Sequence, residues 1–326
     1  MATIRIITQE QVKALIDFKN VIQIIEESFI HYCSGQNKVF PVIREHIQKH
    51  RGIFGIKSGY LTEADTLGFK AGGFWIENKS RDVPTHQSVI VLFNPSTGQP
   101  ICLMDGNHIT ILRTGAVGAI AAKYLAKQNS RKACIIGAGT QGRVQLLGLK
   151  TLFDIQEVKV FDKDYKLSLR FVESFKGYNF SLRAEKNAQC AVENADIIVT
   201  ATPSEEAIVP KEWILPSVHI NAIGADTIGK QELDPKIFEH AKVVVDCTKQ
   251  CIVMGETQHA FHLGVINENS IHAELGEIIY GLKAGRESEN EVTLFDATGL
   301  AFQDLAIADL VYKTALEDNI GHDLYI

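Results

Sequence analysis

With 326 residues, 45% hydrophobic and 22% charged, the chain has an ordinary globular composition and enough length for two domains. A formal net charge of −6 with scattered Lys and Arg excludes a basic nucleic-acid-binding surface. No apolar run reaches the roughly 18 residues of a membrane span, and Met1 opens no signal-peptide pattern, so a cytoplasmic chain with no membrane partner is expected.

Residues 8–33 read as one helix. Thr8 caps it, and Val12, Leu15, Ile16, Val21, Ile24, Ile25 and Phe29 form its apolar face. Four short β-rich segments follow, at 53–60, 67–75, 88–93 and 101–104, with Asn94-Pro-Ser-Thr-Gly98 as a hairpin loop. They predict a largely antiparallel sheet in a first, separate domain. Alternation along 67–75 puts Lys70 on the same face as Gly68 and Gly72, which leaves room for a ligand. A buried ammonium must meet an anion, and otherwise Lys70 points to solvent. Arg44 follows Pro41-Val-Ile. Arg113 opens a helix of small residues over 111–126 that bridges the two domains. It is placed to meet either a cofactor phosphate or an acid of the second domain.

From Lys132 onward β and α patterns alternate. Strands are expected at 133–136, 157–161, 179–183, 196–200, 218–223, 242–246 and 292–295, which predicts a doubly wound parallel sheet. The helix over 300–316 is expected to return to the first domain. The fold class is thus α/β, a Rossmann-type sheet (116–299) beside a β-rich α+β domain (1–115 plus 300–326).

The first βα unit is the most informative stretch. Strand 133–136 runs into Gly137-Ala-Gly139-Thr140-Gln141-Gly142, a helix follows, and strand 157–161 ends on Asp162. This is the order of a dinucleotide-binding unit. Gly137 permits the turn, Gly139 lets the backbone approach a pyrophosphate, and Gly142 lets helix and strand pack. The helix N-terminus offers N–H groups to phosphates. Asp162 favours NAD(H) by accepting from the ribose hydroxyls, while Lys163 leaves some use of NADP(H) open. Ligands sit beyond the carboxyl ends of such strands. Those ends carry Thr202, Gly224 with Asp226, and Asp296-Ala-Thr298-Gly299. The expected cofactor-binding set is Gly137, Gly139, Thr140, Gln141, Gly142, Asp162, Thr202, Thr114 and Gly224. Asp226 either serves the chemistry or caps the segment after it. His86 and His108 have no identifiable partner and read as structural. Six cysteines (Cys33, Cys102, Cys134, Cys190, Cys247, Cys251) form no Cys-x-x-Cys pair and no metal-ligand spacing, so reduced thiols and no metal are expected.

Several stretches in order resemble the ornithine cyclodeaminase/mu-crystallin family over nearly the whole chain. They are Gly68-Phe-Lys70, Leu112-Arg113-Thr114-Gly-Ala, Ala119-Ile-Ala-Ala-Lys-Tyr-Leu-Ala126, the glycine motif, Ala195-Asp-Ile-Ile, His219-Ile-Asn-Ala-Ile-Gly-Ala-Asp226 and Thr293-Leu-Phe-Asp-Ala-Thr-Gly299. The resemblance implies a homodimer through the β-rich domain and hydride transfer between NAD(P) and an amino-acid α-carbon or imine. It implies that Arg44, Lys70 and Arg113 clamp the substrate carboxylate, and that Asp226 and Lys70 are the catalytic residues, with Asp226 in acid–base or amine-positioning work. The expected activity is NAD(P)H-dependent reduction of a small α-imino acid. Pyrroline-2-carboxylate to L-proline leads, with alanine dehydrogenation close behind. The alternatives are an ornithine or lysine cyclodeaminase that recycles bound NAD, and a non-catalytic NADPH- and ligand-binding protein like mu-crystallin. True ornithine enzymes of this family place an acid on the strand before the Phe-Lys pair. This chain has Lys57 there, with Glu63 and Asp65 in the connecting turn. A cation repels a terminal ammonium, so the expected substrate side chain is short, uncharged or cyclic.

Overall fold

The computed structural model describes residues 3–325. The chain opens with β1 (Thr3–Ile7), which was not expected. α1 (Gln9–Leu15) begins at Thr8, which forms a capping box with Gln11. α2 (Phe18–Cys33) begins afresh at Asp17, whose carboxylate accepts the Asn20 N–H at 3.3 Å. The single helix expected over 8–33 is therefore two, separated by extended backbone at Ile16 and Asp17. Apolar residues continue on both sides of that break, which hides it from a periodicity argument.

β2 (Asn37–Val39) and β3 (Ile43–Ile47) precede the long hairpin of β4 (Gly52–Leu61) and β5 (Thr66–Trp75). β6 (His86–Phe93) and β7 (Pro100–Asp105) form the next hairpin, closed by Asn94–Gly98. α3 (Asn107–Leu125) leads to β8 (Lys132–Ile136), α4 (Thr140–Leu152), β9 (Glu157–Phe161), α5 (Tyr165–Ser174), β10 (Ser181–Ala184), α6 (Ala188–Val192) and β11 (Ile197–Thr200). Then come β12 (Glu205–Val209), β13 (His219–Ala222), β14 (Gln231–Leu233), β15 (Ala241–Val245), α7 (Thr248–Met254), α8 (Thr257–His262), β16 (Ile271–Glu274), α9 (Leu275–Tyr280) and β17 (Val292–Asp296). α10 (Ala301–Glu317) and β18 (His322–Tyr325) end the chain.

The chain divides into two compact units, Met1–Arg113 with Leu300–Ile326, and Thr114–Gly299. In the first, the sheet order is β18-β1-β7-β6-β5-β4-β2, with β3 also paired to β4. All pairs are antiparallel except β1 with β7. α10 lies on β4 and β5 and packs against α2. The register sorts the side chains into two faces. Lys57, Lys70, Ile90 and Met104 share one rung and are all buried. Ile56, Ala71 and Val89 share the next rung on the opposite face, where Phe69, Val91 and Leu103 also point. That second face is apolar yet only half-buried, and Val89 is 44% exposed.

The second unit holds a fully parallel sheet of order β10-β9-β8-β11-β13-β17-β15-β16. The first five strands have the 3-2-1-4-5 order of a dinucleotide-binding sheet. All seven expected strands are present. β16 was not foreseen, nor was the small β12–β14 pair. Both faces are covered, so the strands read as unbroken apolar runs such as Cys134 to Ile136 and Val243 to Val245. Within this unit the small residues of α3 admit α4 closely: a methyl on Gly148 would lie 2.7 Å from the Gly115 carbonyl oxygen.

Candidate functional site

The first unit concentrates cations on one sheet face. Lys57 and Lys70 are directly opposed across β4 and β5. Arg44 opposes Gly55, so it projects to the same side two residues away. Lys57, Lys70 and Arg113 are 7%, 8% and 9% exposed. A carboxylate that sequence reasoning missed faces them. Asp304, on α10, accepts from Lys70 Nζ at 2.8 Å and from Arg113 Nε at 3.3 Å, both through Oδ1. Lys70 also donates to Thr110 Oγ1 at 3.0 Å, and Arg113 Nη1 donates to Gln303 Oε1 at 3.3 Å. Lys70 is thus buried rather than solvated. Arg113 meets Asp304, an acid of its own unit.

The electrostatics follow from burial. Desolvation pulls Lys70 down to about 8, against the attraction of Asp304. Lys57 is pushed well below the usual lysine range by burial and then by Arg44, Arg113 and Lys70, with Asp304 opposing. Burial resists ionisation of Asp304, but Lys70, Arg113 and Lys57 outweigh it and hold the carboxyl below its ordinary value. His86 stays neutral, pulled to about 4 by burial and by Lys70, and its Nδ1 lies 3.1 Å from Asn107 Oδ1. Glu63 and Asp65 remain in the exposed β4–β5 turn, where Asp65 accepts from Tyr60 Oη and Gln36 donates to Glu63.

The second unit carries the glycine loop at the carboxyl end of β8. Gly137 has φ 106°, a left-handed conformation that favours glycine. A methyl on Gly142 would lie 2.1 Å from the Gly137 carbonyl oxygen, so helix and turn touch there. Gly139, at the N-cap of α4, has nothing within 4 Å of such a methyl, and no side chain caps the helix. Gly139 and Thr140 are exposed, and Gln141 is half-buried. Asp162 Oδ2 accepts the Ala138 N–H and its Oδ1 the Asp164 N–H, both at 3.0 Å, which fixes the carboxylate beside the loop. An open helix N-terminus, a glycine cradle and an anchored acid fit a dinucleotide. Thr114 offers its carbonyl to Gln145 Nε2 at 2.7 Å.

Thr202 and Gly224 are joined by a second residue that the sequence did not reveal. Glu232 accepts the Thr202 N–H through Oε1 at 2.6 Å and the Gly224 N–H through Oε2 at 2.9 Å. Glu256 in turn accepts the N–H groups of Glu232 and Leu233. Burial raises both carboxyls, and Glu232 adds to the rise at Glu256. Asp226 accepts from Lys230 Nζ at 2.7 Å and from Thr227 Oγ1 at 3.1 Å. A turn follows it rather than a helix, so it caps no helix. Asp296 is pushed up to about 7 by burial and accepts from Thr257, while Asp246 takes the Thr298 hydroxyl. Among the described residues, no three His, Cys, Asp or Glu side chains converge as a metal site requires, and no helix is long and apolar enough to cross a membrane.

One sequence signal for Asp304 was available. Gln303-Asp304 interrupts an otherwise apolar stretch from Leu300 to Ala308, and both are fully buried. A polar pair inside an apolar helix face needs partners.

Three solved structures resemble this one closely. An archaeal alanine dehydrogenase dimer with bound NAD is 40% identical, with a TM-score of 0.95 and 99% of each chain covered. The Δ1-pyrroline-2-carboxylate reductase of Thermococcus litoralis, in complex with NADH and L-proline, is 34% identical with a TM-score of 0.96, covering 98% of this chain and 100% of that one. The iminosuccinate reductase of Paracoccus denitrificans, in complex with NAD+, is 32% identical with a TM-score of 0.92, covering 99% and 100%. The model of the ornithine cyclodeaminase/mu-crystallin family matches residues 3–319, and the chain belongs to that family.

Proposed function

We propose that this chain is an NAD(H)-dependent reductase of small α-imino acids. The observation that carries the reading is the buried pair Lys70 and Arg113, both held by Asp304, with the half-buried Arg44 on the same sheet face as Lys70. Cations are buried at such cost only with an anion to meet. A guanidinium fork and a lysine point charge together orient a carboxylate, and with it the α-carbon. Orientation is most of what a hydride transfer asks of the protein. NADH, when bound, supplies the hydride to the imine carbon and leaves as NAD+. Asp226 is assigned to the nitrogen, where a carboxylate stabilises the iminium and the product ammonium. Gly137, Gly139, Thr140, Gln141, Gly142, Asp162, Thr114, Thr202 and Gly224 are assigned to the cofactor. Names of related reductases and dehydrogenases of imino and amino acids support the same class.

The protein is further proposed to be a homodimer through the first unit. The face bearing Ile56, Phe69, Ala71, Val89, Val91 and Leu103 is apolar and half-exposed, as a self-pairing surface should be.

The test is to supply NADH with pyrroline-2-carboxylate, or with pyruvate and ammonia, and ornithine separately. Consumption of NADH with proline or alanine formed is expected. Ammonia release from ornithine with no net cofactor change and no imine reduction would make the protein a cyclodeaminase. Tight NADPH binding with no turnover would make it a binding protein.

A further inference from the structure

We propose that Glu232 is a positioning residue of the cofactor site: it sets the spacing of the loops after β11 and β13, and its charge favours a cationic nicotinamide ring over a neutral one. The inference rests on the NAD(H) reading above and adds a charge preference to that same site.

Glu232 is the middle residue of β14 and is fully buried. Its backbone is fixed from two sides. Gln231 beside it donates its N–H to the Ser204 carbonyl at 2.9 Å. Glu256 accepts the Glu232 N–H at 2.9 Å and the Leu233 N–H at 2.7 Å. From that anchor the side chain spans two loops, with Oε1 on the Thr202 N–H and Oε2 on the Gly224 N–H. A methyl on Gly224 would lie 2.6 Å from Glu232 Oε2, so that loop closes directly on the carboxylate. Thr202 lies just past β11 and Gly224 just past β13, which are adjacent parallel strands.

The sheet order says which end of the cofactor these loops face. It runs β9-β8-β11-β13. The glycine loop after β8 takes the pyrophosphate, and Asp162 after β9 takes the adenosine ribose. The nicotinamide half therefore extends the other way, over the ends of β11 and β13.

Only a carboxylate accepts both N–H groups at once, since an amide has one oxygen and would turn its NH2 toward a donor. Burial raises Glu232, and the Thr202 and Gly224 N–H groups oppose the rise. Glu256 is raised well above its ordinary value by burial and then by the Glu232 charge, so Glu232 is the one of the two that stays ionised. That charge is met by N–H dipoles, and among the described residues no Lys or Arg forms an ion pair with it. A buried anion of this kind acts more strongly on nearby charge than one in water. Hydride loss turns a neutral dihydronicotinamide into a cation. A carboxylate already fixed behind the two loops favours that change without reorganising.

The test is calorimetric titration of NAD+, NADH and ADP-ribose into the full-length protein and its Glu232→Gln and Glu232→Asp variants. ADP-ribose reaches the glycine loop but carries no nicotinamide, so its affinity should hold in both variants. In Glu232→Gln, NAD+ should weaken at least about tenfold more than NADH. Glu232→Asp keeps the charge but is too short to span both loops, so it should weaken both forms and keep their ratio. In turnover with pyrroline-2-carboxylate, or with pyruvate and ammonia, Glu232→Gln should lower kcat by about tenfold while the imine KM holds. Equal loss of NAD+ and NADH in Glu232→Gln reduces Glu232 to a structural staple and overturns the inference. Loss of ADP-ribose affinity as well overturns the assignment to the nicotinamide end. Should thermal melts show Glu232→Gln unfolded, Glu232→Asp decides alone. Weaker binding of both forms at a kept ratio then supports the inference, and unchanged affinities or a ratio shifted toward NADH overturn it. Imine reduction by the wild type with an unmoved ratio in Glu232→Gln defeats this inference alone. Absence of NADH binding to the wild type defeats the reading beneath it, and this inference with it.

Discussion

The Lys70 ammonium donates to Asp304 Oδ1 at 2.8 Å across 234 residues of chain. The β5 strand and the C-terminal helix α10 are thereby tied by a buried ion pair, 9% and 1% exposed at the side chains. A pair so buried is costly to break from one side, because the remaining charges lose their counter-ion.

Asp304→Asn should therefore lower stability by roughly 3–5 kcal/mol at neutral pH. The folded carboxyl titrates below its ordinary value, so its stabilisation is present above the unfolded pKa and lost as pH falls through the folded one. Urea midpoints of wild type and variant should differ at pH 7 and converge in acid. A constant difference down to acid pH would show that Asp304 acts by shape alone.

Lys70 releases its proton near 8 in the folded protein, against about 10.4 in an unfolded chain. Below about 8 it carries the charge that the proposed hold on the substrate carboxylate requires; above, it does not. The kcat/KM profile should fall as pH rises through about 8. Lys70→Arg should remove that descending limb while lowering the plateau. For stability the sign is opposite. Between the two values the unfolded chain binds the extra proton, so the Lys70 contribution grows with pH.

The two neighbouring glycines of the loop separate folding from cofactor binding. Gly139→Ala meets nothing within 4 Å, so the melting temperature should hold while NADH affinity drops about tenfold or more. Gly142→Ala drives a methyl against the Gly137 carbonyl oxygen, so it should cost stability as well, about 1–3 kcal/mol. Calorimetric NADH titration and thermal melts of both variants check this. Equal melting temperatures would mean the Gly142 contact relaxes.

NADH should have a lower KM than NADPH. Asp162 is oriented by the Ala138 and Asp164 N–H groups, and a fixed carboxylate there repels a 2′-phosphate. Asp162→Ser should narrow the preference at least about tenfold. A lower KM for NADPH in the wild type would remove this role from Asp162.

Val89 lies on the half-exposed apolar face, at 44% exposure. Val89→Glu should convert a dimer into monomers of 36.1 kDa without unfolding the chain. Light scattering at micromolar concentration reads the mass. A wild-type monomer would rule out the assembly proposed.

The parallel sheet and the glycine loop were legible because their causes are local. A strand buried on both faces must be an apolar run, and a tight βα turn must carry glycine where φ is positive, as at Gly137. The break between α1 and α2 was not legible, since one capping acid, Asp17, decides it amid continuous apolar residues. β16 escaped because Ile271–Glu274 is short and polar-flanked, and pairing with β15 creates it. The sequence by itself named Lys70 as a cation inside an apolar strand and Arg113 as one opening a small-residue helix, while Lys57 came from the family resemblance. Only the tertiary structure set Asp304 between Lys70 and Arg113, and only it bound Thr202 to Gly224 through Glu232. Periodicity reports which face a residue takes within its own element. The partner of a buried charge is set by packing between elements far apart in the chain, and no local pattern encodes it.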